Sequence, residues 1–122
     1  MTVKVACCQM ELNVEEPGKA WDHIAAACEQ AAQEGADLIV FPELANSGYV
    51  FDSLEEAERL ATVIPGPFAD QLAELSDRFA NVIVCGINER SGGKLYSSAL
   101  VVDRGQLAGI YRKSHLWNTE HN

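Results

Sequence analysis

Basic residues are scarce in this 122-residue chain. Nine Lys plus Arg stand against eighteen Asp plus Glu, a formal net charge of −9. A nucleic-acid binder needs a concentrated cationic face to displace counterions, and no basic cluster supplies one, which argues against that class. Long apolar runs are missing as well. Nothing approaches the ~18 consecutive apolar residues of a membrane span, and Gln9 and Glu11 interrupt the N-terminal segment too early for a secretory signal. A cytoplasmic protein with no membrane partner is the expectation. The cysteines are only Cys7, Cys8, Cys28 and Cys85, with no Cys-x-x-Cys and no zinc spacing. All four lie in apolar periodic segments and read as buried thiols of a reducing compartment. Neither a Gly-rich phosphate loop nor a Gly-x-Ser-x-Gly elbow occurs. A self-contained doubly wound nucleotide-binding domain therefore lacks its Gly-rich first turn.

What is present describes a globular α/β chain of one-domain length. Apolar residues at 48% exclude disorder as a whole-chain description. Charge is lopsided: residues 1–61 carry twelve acids and three bases, residues 62–122 six of each, so an acidic solvated face belongs to the first half. Alternation over residues 3–10 predicts a strand, with Val3, Val5 and Cys7 on one side and Ala6, Cys8 and Met10 on the other. Pro17, the helical spacing of Trp21, Ile24, Cys28 and Ala31, and Gly35 as a C-terminal cap predict a helix over 17–34. His23 falls off its apolar stripe and reads as solvated. The run Leu38 to Phe41 reads as a strand buried on both faces, parallel to the first. A loop with Asn46, Ser47 and Gly48, a short helix near 54–62, and a helix from Pro67 with Phe68, Leu72, Leu75 and Phe79 inward come next. Three strands follow, at Val82 to Ile87, Tyr96 to Asp103 and Gln106 to Lys113, antiparallel because their turns at 91–93 and 104–105 are short.

This inventory leaves a sheet face bare. Two long helices, each about 10 Å wide, cover one face of a five-strand sheet and no more. An uncovered apolar face exceeds what a soluble monomer usually exposes, so a further layer is expected from a partner or from additional chain. The segment from Ser114 to Asn122 carries Leu116 and Trp117 without a closing element. The expected organisation is a single incomplete domain over 1–122.

Few residues are placed to do chemistry. Glu43 follows Pro42 at a strand end, where ligands collect in open α/β sheets and a partly desolvated carboxylate can serve as a base. It could equally cap a neighbouring N–H. Lys113, at another strand end, could stabilise an oxyanion or simply be exposed. Tyr49 could line a pocket or pack on the surface. His115 reads as a structural hydrogen-bonding histidine. His115 and His121 lack the further ligands a metal site needs, so no metal is expected.

Taken together, the segments resemble the nitrilase superfamily of carbon–nitrogen hydrolases. The resemblance rests on Val5 to Gln9, Gly35 to Leu44 with its Phe-Pro-Glu, the Ser47-Gly48-Tyr49 loop, Pro65-Gly66-Pro67, and Gly109 to Trp117 with its Tyr-Arg-Lys-x-His-Leu. It implies the N-terminal portion of an α-β-β-α sandwich, a mixed sheet covered by helices on one face. It implies a Cys–Glu–Lys hydrolysis of amides without metal or organic cofactor. By this match Glu43 is the general base and Lys113 the oxyanion-stabilising lysine. Glu120 corresponds to a second glutamate that orients substrate, and Tyr49 lies near the pocket. The family's nucleophilic cysteine falls beyond residue 122, so the chain by itself is expected to be inactive. The substrate implied is a small amide, and the full-length protein is expected to be a homo-oligomer. The Trp117 to Glu120 segment is more similar to amide-hydrolysing than to nitrile-hydrolysing members. The alternative is a non-catalytic assembly module whose exposed sheet face pairs with a partner.

Overall fold

The computed structural model describes residues 2–10, 17–48 and 51–113. Within them the chain runs β1 (Val5–Cys7), α1 (Pro17–Gln33), β2 (Leu38–Val40), α2 (Leu54–Leu60), α3 (Pro67–Phe79), β3 (Val82–Ser91), β4 (Lys94–Asp103) and β5 (Gln106–Arg112). The strands form one mixed sheet in the order β1-β2-β3-β4-β5. The first three are parallel and the last three antiparallel, as the helical crossovers and short turns require. Among the described residues no helix is long and apolar enough to cross a membrane.

Local chemistry explains the boundaries. α1 buries Ala20, Ile24, Cys28 and Ala31, one per turn along a single stripe. It stops at Gly35, whose φ of +81° reverses the chain while the Ala36 N–H returns to the Ala31 carbonyl. The Ser53 hydroxyl accepts from the Glu56 N–H and starts α2. Pro67 opens α3, which turns Phe68, Leu72 and Leu75 inward. The β3–β4 hairpin closes through Gly92 and Gly93, both with positive φ, as a tight two-residue turn demands.

Helices α1 and α3 lie on one face of the sheet. Ile39, Phe41, Ile83, Cys85, Ile87, Leu100 and Val102 form the core beneath them. The opposite face holds Val5, Cys7, Val40, Val84 and Val101, none of them fully buried. Val5 keeps 50% of its surface exposed. Two expectations are corrected here. Cys7 is exposed rather than buried, because it points to the uncovered face. β2 is buried on one face only, with Leu38 and Val40 half-buried on the other, for the same reason.

Candidate active site

β2 leaves the plane of the sheet where the site begins. The Phe41 N–H still donates to the Val84 carbonyl, and Ala45 N–H rejoins the sheet at the Gly86 carbonyl. Between them Pro42, Glu43 and Leu44 bulge over β3 on its uncovered face, with Leu44 at φ +53°. Gly86 makes this crossing possible. A Cβ there would lie 2.2 Å from the Pro42 carbonyl oxygen and 2.5 Å from the Glu43 Cα. Beyond the bulge the Asn46 side chain takes the place of a strand backbone: its Oδ1 accepts from the Asn88 N–H at 2.7 Å and its Nδ2 donates to the Asn88 carbonyl at 3.2 Å. The bulge is thus pinned at both ends, and Glu43 sits at its crest.

Two further residues meet Glu43 there. The Ser97 hydroxyl, from β4, donates to Glu43 Oε1 at 2.6 Å. Lys113 Nζ, just past β5, lies 3.5 Å from the same oxygen. The Lys113 N–H donates to the Ser97 carbonyl at 3.0 Å, so β4 carries both partners. The glutamate side chain is 37% exposed and the lysine side chain 53%. They border an open cleft of about 260 Å³ that Val84, Gly86, Ala99 and Tyr111 also line. Tyr111 is 70% exposed over its rim. A carboxylate, a hydroxyl and an ammonium at the edge of an apolar cleft can exchange a proton and stabilise a developing negative charge.

The opposite face of the same strands carries a second set. Glu89 of β3 is wholly buried, and both its oxygens accept from Arg112, at 2.8 Å from Nε and 2.7 Å from an Nη. The Ser98 hydroxyl donates to Glu89 Oε1 at 2.7 Å. Arg112 also lies over the Tyr96 ring, 5.0 Å from its centroid. The Arg112 fork holds the Glu89 carboxyl below its ordinary range, against the opposing effect of burial.

The structure therefore brings Glu43 and Lys113 together, seventy positions apart in the sequence. Tyr49, His115, Glu120 and His121 lie outside the described residues. Sequence reasoning passed over Gly86, Ser97, Ser98 and Glu89. Gly86 carried a signal, since a glycine inside an apolar strand marks a close backbone approach. Glu89 carried another, as an acid ending a run of buried residues. Cys8, Cys28 and Cys85 are poor candidates for a thiolate. Burial pushes Cys28 up to about 12 and raises Cys85 and Cys8 as well. None of the four lines the Glu43 cleft.

Comparison with known proteins places the chain in a family. The family model for carbon–nitrogen hydrolases matches residues 4–122. A nitrilase of Pyrococcus abyssi is 38% identical over 119 residues, covering 97% of this chain and 45% of its own length. The chloroplastic omega-amidase of Arabidopsis thaliana is 33% identical over 120 residues, covering 95% of this chain and 32% of the relative. An N-terminal amidase solved with an Asn-Glu-Ala peptide superposes with a TM-score of 0.81 at 28% identity, covering 98% of this chain and 30% of that one. The chain thus spans less than half the length of these relatives, and over that span both sequence and fold agree. It belongs to the carbon–nitrogen hydrolase family, in the nitrilase superfamily.

Proposed function

We propose that Glu43 and Lys113 are the general base and the oxyanion-stabilising lysine of an enzyme that hydrolyses the carbon–nitrogen bond of small amides. The observation that carries this reading is the approach of Lys113 Nζ to Glu43 Oε1 at the rim of an open cleft. In this reading the nucleophile is a cysteine from outside residues 1–122. The poor acidity of the buried Cys28 and Cys85, and the lack of any of the four cysteines in the cleft lining, support that assignment. Glu43 takes the thiol proton and the thiolate adds to the amide carbon. The carbonyl oxygen becomes an alkoxide, which the Lys113 ammonium stabilises. Glu43 returns the proton to the leaving nitrogen as the C–N bond breaks, leaving a thioester and releasing ammonia or an amine. It then accepts a proton from water as the water oxygen adds to the thioester carbon. Collapse of that second alkoxide expels the sulfur, which recovers its proton, and the acid leaves.

Glu120 and Tyr49 orient the substrate in this reading, on the strength of the family match alone. The 122-residue chain by itself would turn over nothing. Amides are favoured over nitriles by the Trp117 to Glu120 segment. The second reading, an assembly module, draws on the apolar sheet face that retains exposed Val5 and half-buried Val84.

The deciding measurement is ammonia release by the whole protein from short-chain primary amides. Glu43→Gln keeps an acceptor for Ser97 but cannot take a proton. It is expected to lower kcat by at least ~100-fold, within the range for loss of a general base. A Glu43→Gln protein as active as the wild type would overturn the role of Glu43, and a whole protein that releases no ammonia would leave the assembly module in its place.

A further inference from the structure

We propose that Glu89, Ser98 and Arg112 form a positioning clamp that holds Lys113 against Glu43 from the far side of the sheet. The proposal rests on the functional reading of Glu43 and Lys113 above. Of the three only Ser98 borders the cleft, and none brings a charged group to it; they act through β5.

β5 needs such a device. Among the described residues it is the last strand of the sheet and pairs only with β4. Nearly all its residues are exposed, and its pairing slips at Val101 and Val102, so packing does little to fix its tip. Lys113 follows immediately after that tip. Strand alternation puts Arg112 and Lys113 on opposite faces. Whatever fixes Arg112 therefore sets the backbone from which Lys113 departs.

Arg112 is fixed unusually well. Its guanidinium reaches across β4 to Glu89 on β3 and makes both bonds of a planar fork, at 2.8 and 2.7 Å. Ser98, paired opposite Arg112 in β4, supplies a third hydrogen bond to the same carboxylate. β3 is also the strand whose Gly86 admits the bulge carrying Glu43. One strand thus seats the carboxylate on its open face and anchors the lysine-bearing strand on its covered face. A fork is needed for this because it fixes direction as well as distance. A single point charge in its place leaves the tip held only by its backbone bonds to β4, the Lys113 N–H to the Ser97 carbonyl among them, and a misplacement near 1 Å can lower a rate ~100-fold.

The test uses Glu89→Gln and Arg112→Lys in the whole protein, with Ser98→Ala as the mildest variant should either fail to fold. Two readouts are taken well below the melting temperature. One is kcat and KM for a primary amide. The other is the rate at which an amine-reactive acyl ester labels Lys113, read by peptide mass spectrometry with Lys94 as the internal reference. The clamp predicts that Arg112→Lys folds, loses about tenfold in kcat with little change in KM, and labels Lys113 several-fold faster relative to Lys94. Folded variants in which neither kcat nor Lys113 labelling changes would overturn it and leave a merely structural ion pair. Should the wild type hydrolyse no amide, the functional reading fails by itself. The labelling ratio then decides the clamp alone, supporting it if Lys113 is released and refuting it if not.

Discussion

The sheet carries two sets of the same composition, back to back. Each has a glutamate, a serine of β4 and a base from the end of β5. On the covered face Glu89 has no exposure and is gripped by a two-point fork at 2.7 and 2.8 Å. On the open face Glu43 is 37% exposed and meets Lys113 at 3.5 Å. Burial accounts for the contrast. A carboxylate removed from water survives ionised only with its oxygens satisfied, so the covered set is saturated and fixed. At the cleft water shares that task, so the ammonium can stand off. A looser pair suits the proposed chemistry at the open set, in which both groups would serve a changing substrate.

The contrast breaks most sharply on removal of each base. Arg112→Ala strands a wholly buried carboxylate, although Arg112 itself is partly exposed, and is expected to destabilise the protein by about 3 kcal/mol, the low end for a buried charge that loses its partner. Lys113→Ala leaves Glu43 within reach of water and is expected to shift stability by less than about 1 kcal/mol. Denaturant melts of the two variants make the comparison. Equal losses would mean that the open pair is as structural as the covered one.

A smaller effect is expected from the glycine beneath the open set. Gly86→Ala drives a methyl group into the Pro42 carbonyl and the Glu43 Cα. The neighbours are backbone and have little room to give, so a loss of about 2 kcal/mol is expected, typical of overpacking. On the proposed function, amide turnover should fall with it, because the crest of the bulge moves. Gly109, on the same face, has nothing within 4 Å of a built Cβ. Gly109→Ala should therefore stay within ~0.5 kcal/mol of the wild type. Crystal structures of both variants would show whether Glu43 moves in the first alone.

Why the open set was partly legible and the covered set was not follows from what sequence patterns encode. Helical spacing and caps located α1 and α3, since Pro17, Gly35 and Pro67 act through local backbone geometry. Glu43 and Lys113 were legible because each sits at a strand end within a recognisable motif. Ser97 and Ser98 were not. Adjacent serines in a strand face opposite ways, and only the register against β3 and β5 reveals which carboxylate each one meets. Cys7 was misread because period-two alternation says that a face is apolar, not that anything covers it. β3 reads as ending at Ile87, yet it runs to Ser91, because Asn88 and Glu89 are polar residues buried by partners distant in sequence.

The finest probe of the contrast is acidity. Arg112 holds the Glu89 carboxyl below its ordinary value in the folded protein. In the unfolded chain a glutamate titrates near ~4.3. The folded state therefore binds this proton less readily, and the pair's contribution to stability is complete above that pH. It is lost as pH falls through the lower folded value. Glu89→Gln has no such proton to bind. At neutral pH it should be less stable than the wild type by about 1 kcal/mol, since Arg112 keeps water access and an amide oxygen to bond. Below about pH 4 the wild type should lose stability faster, so that the two proteins converge. Urea melts at pH 7 and pH 3 measure the gap at each end. A gap that stays constant would show that Glu89 titrates alike in folded and unfolded chains, and the Arg112 fork would then not be what holds its charge.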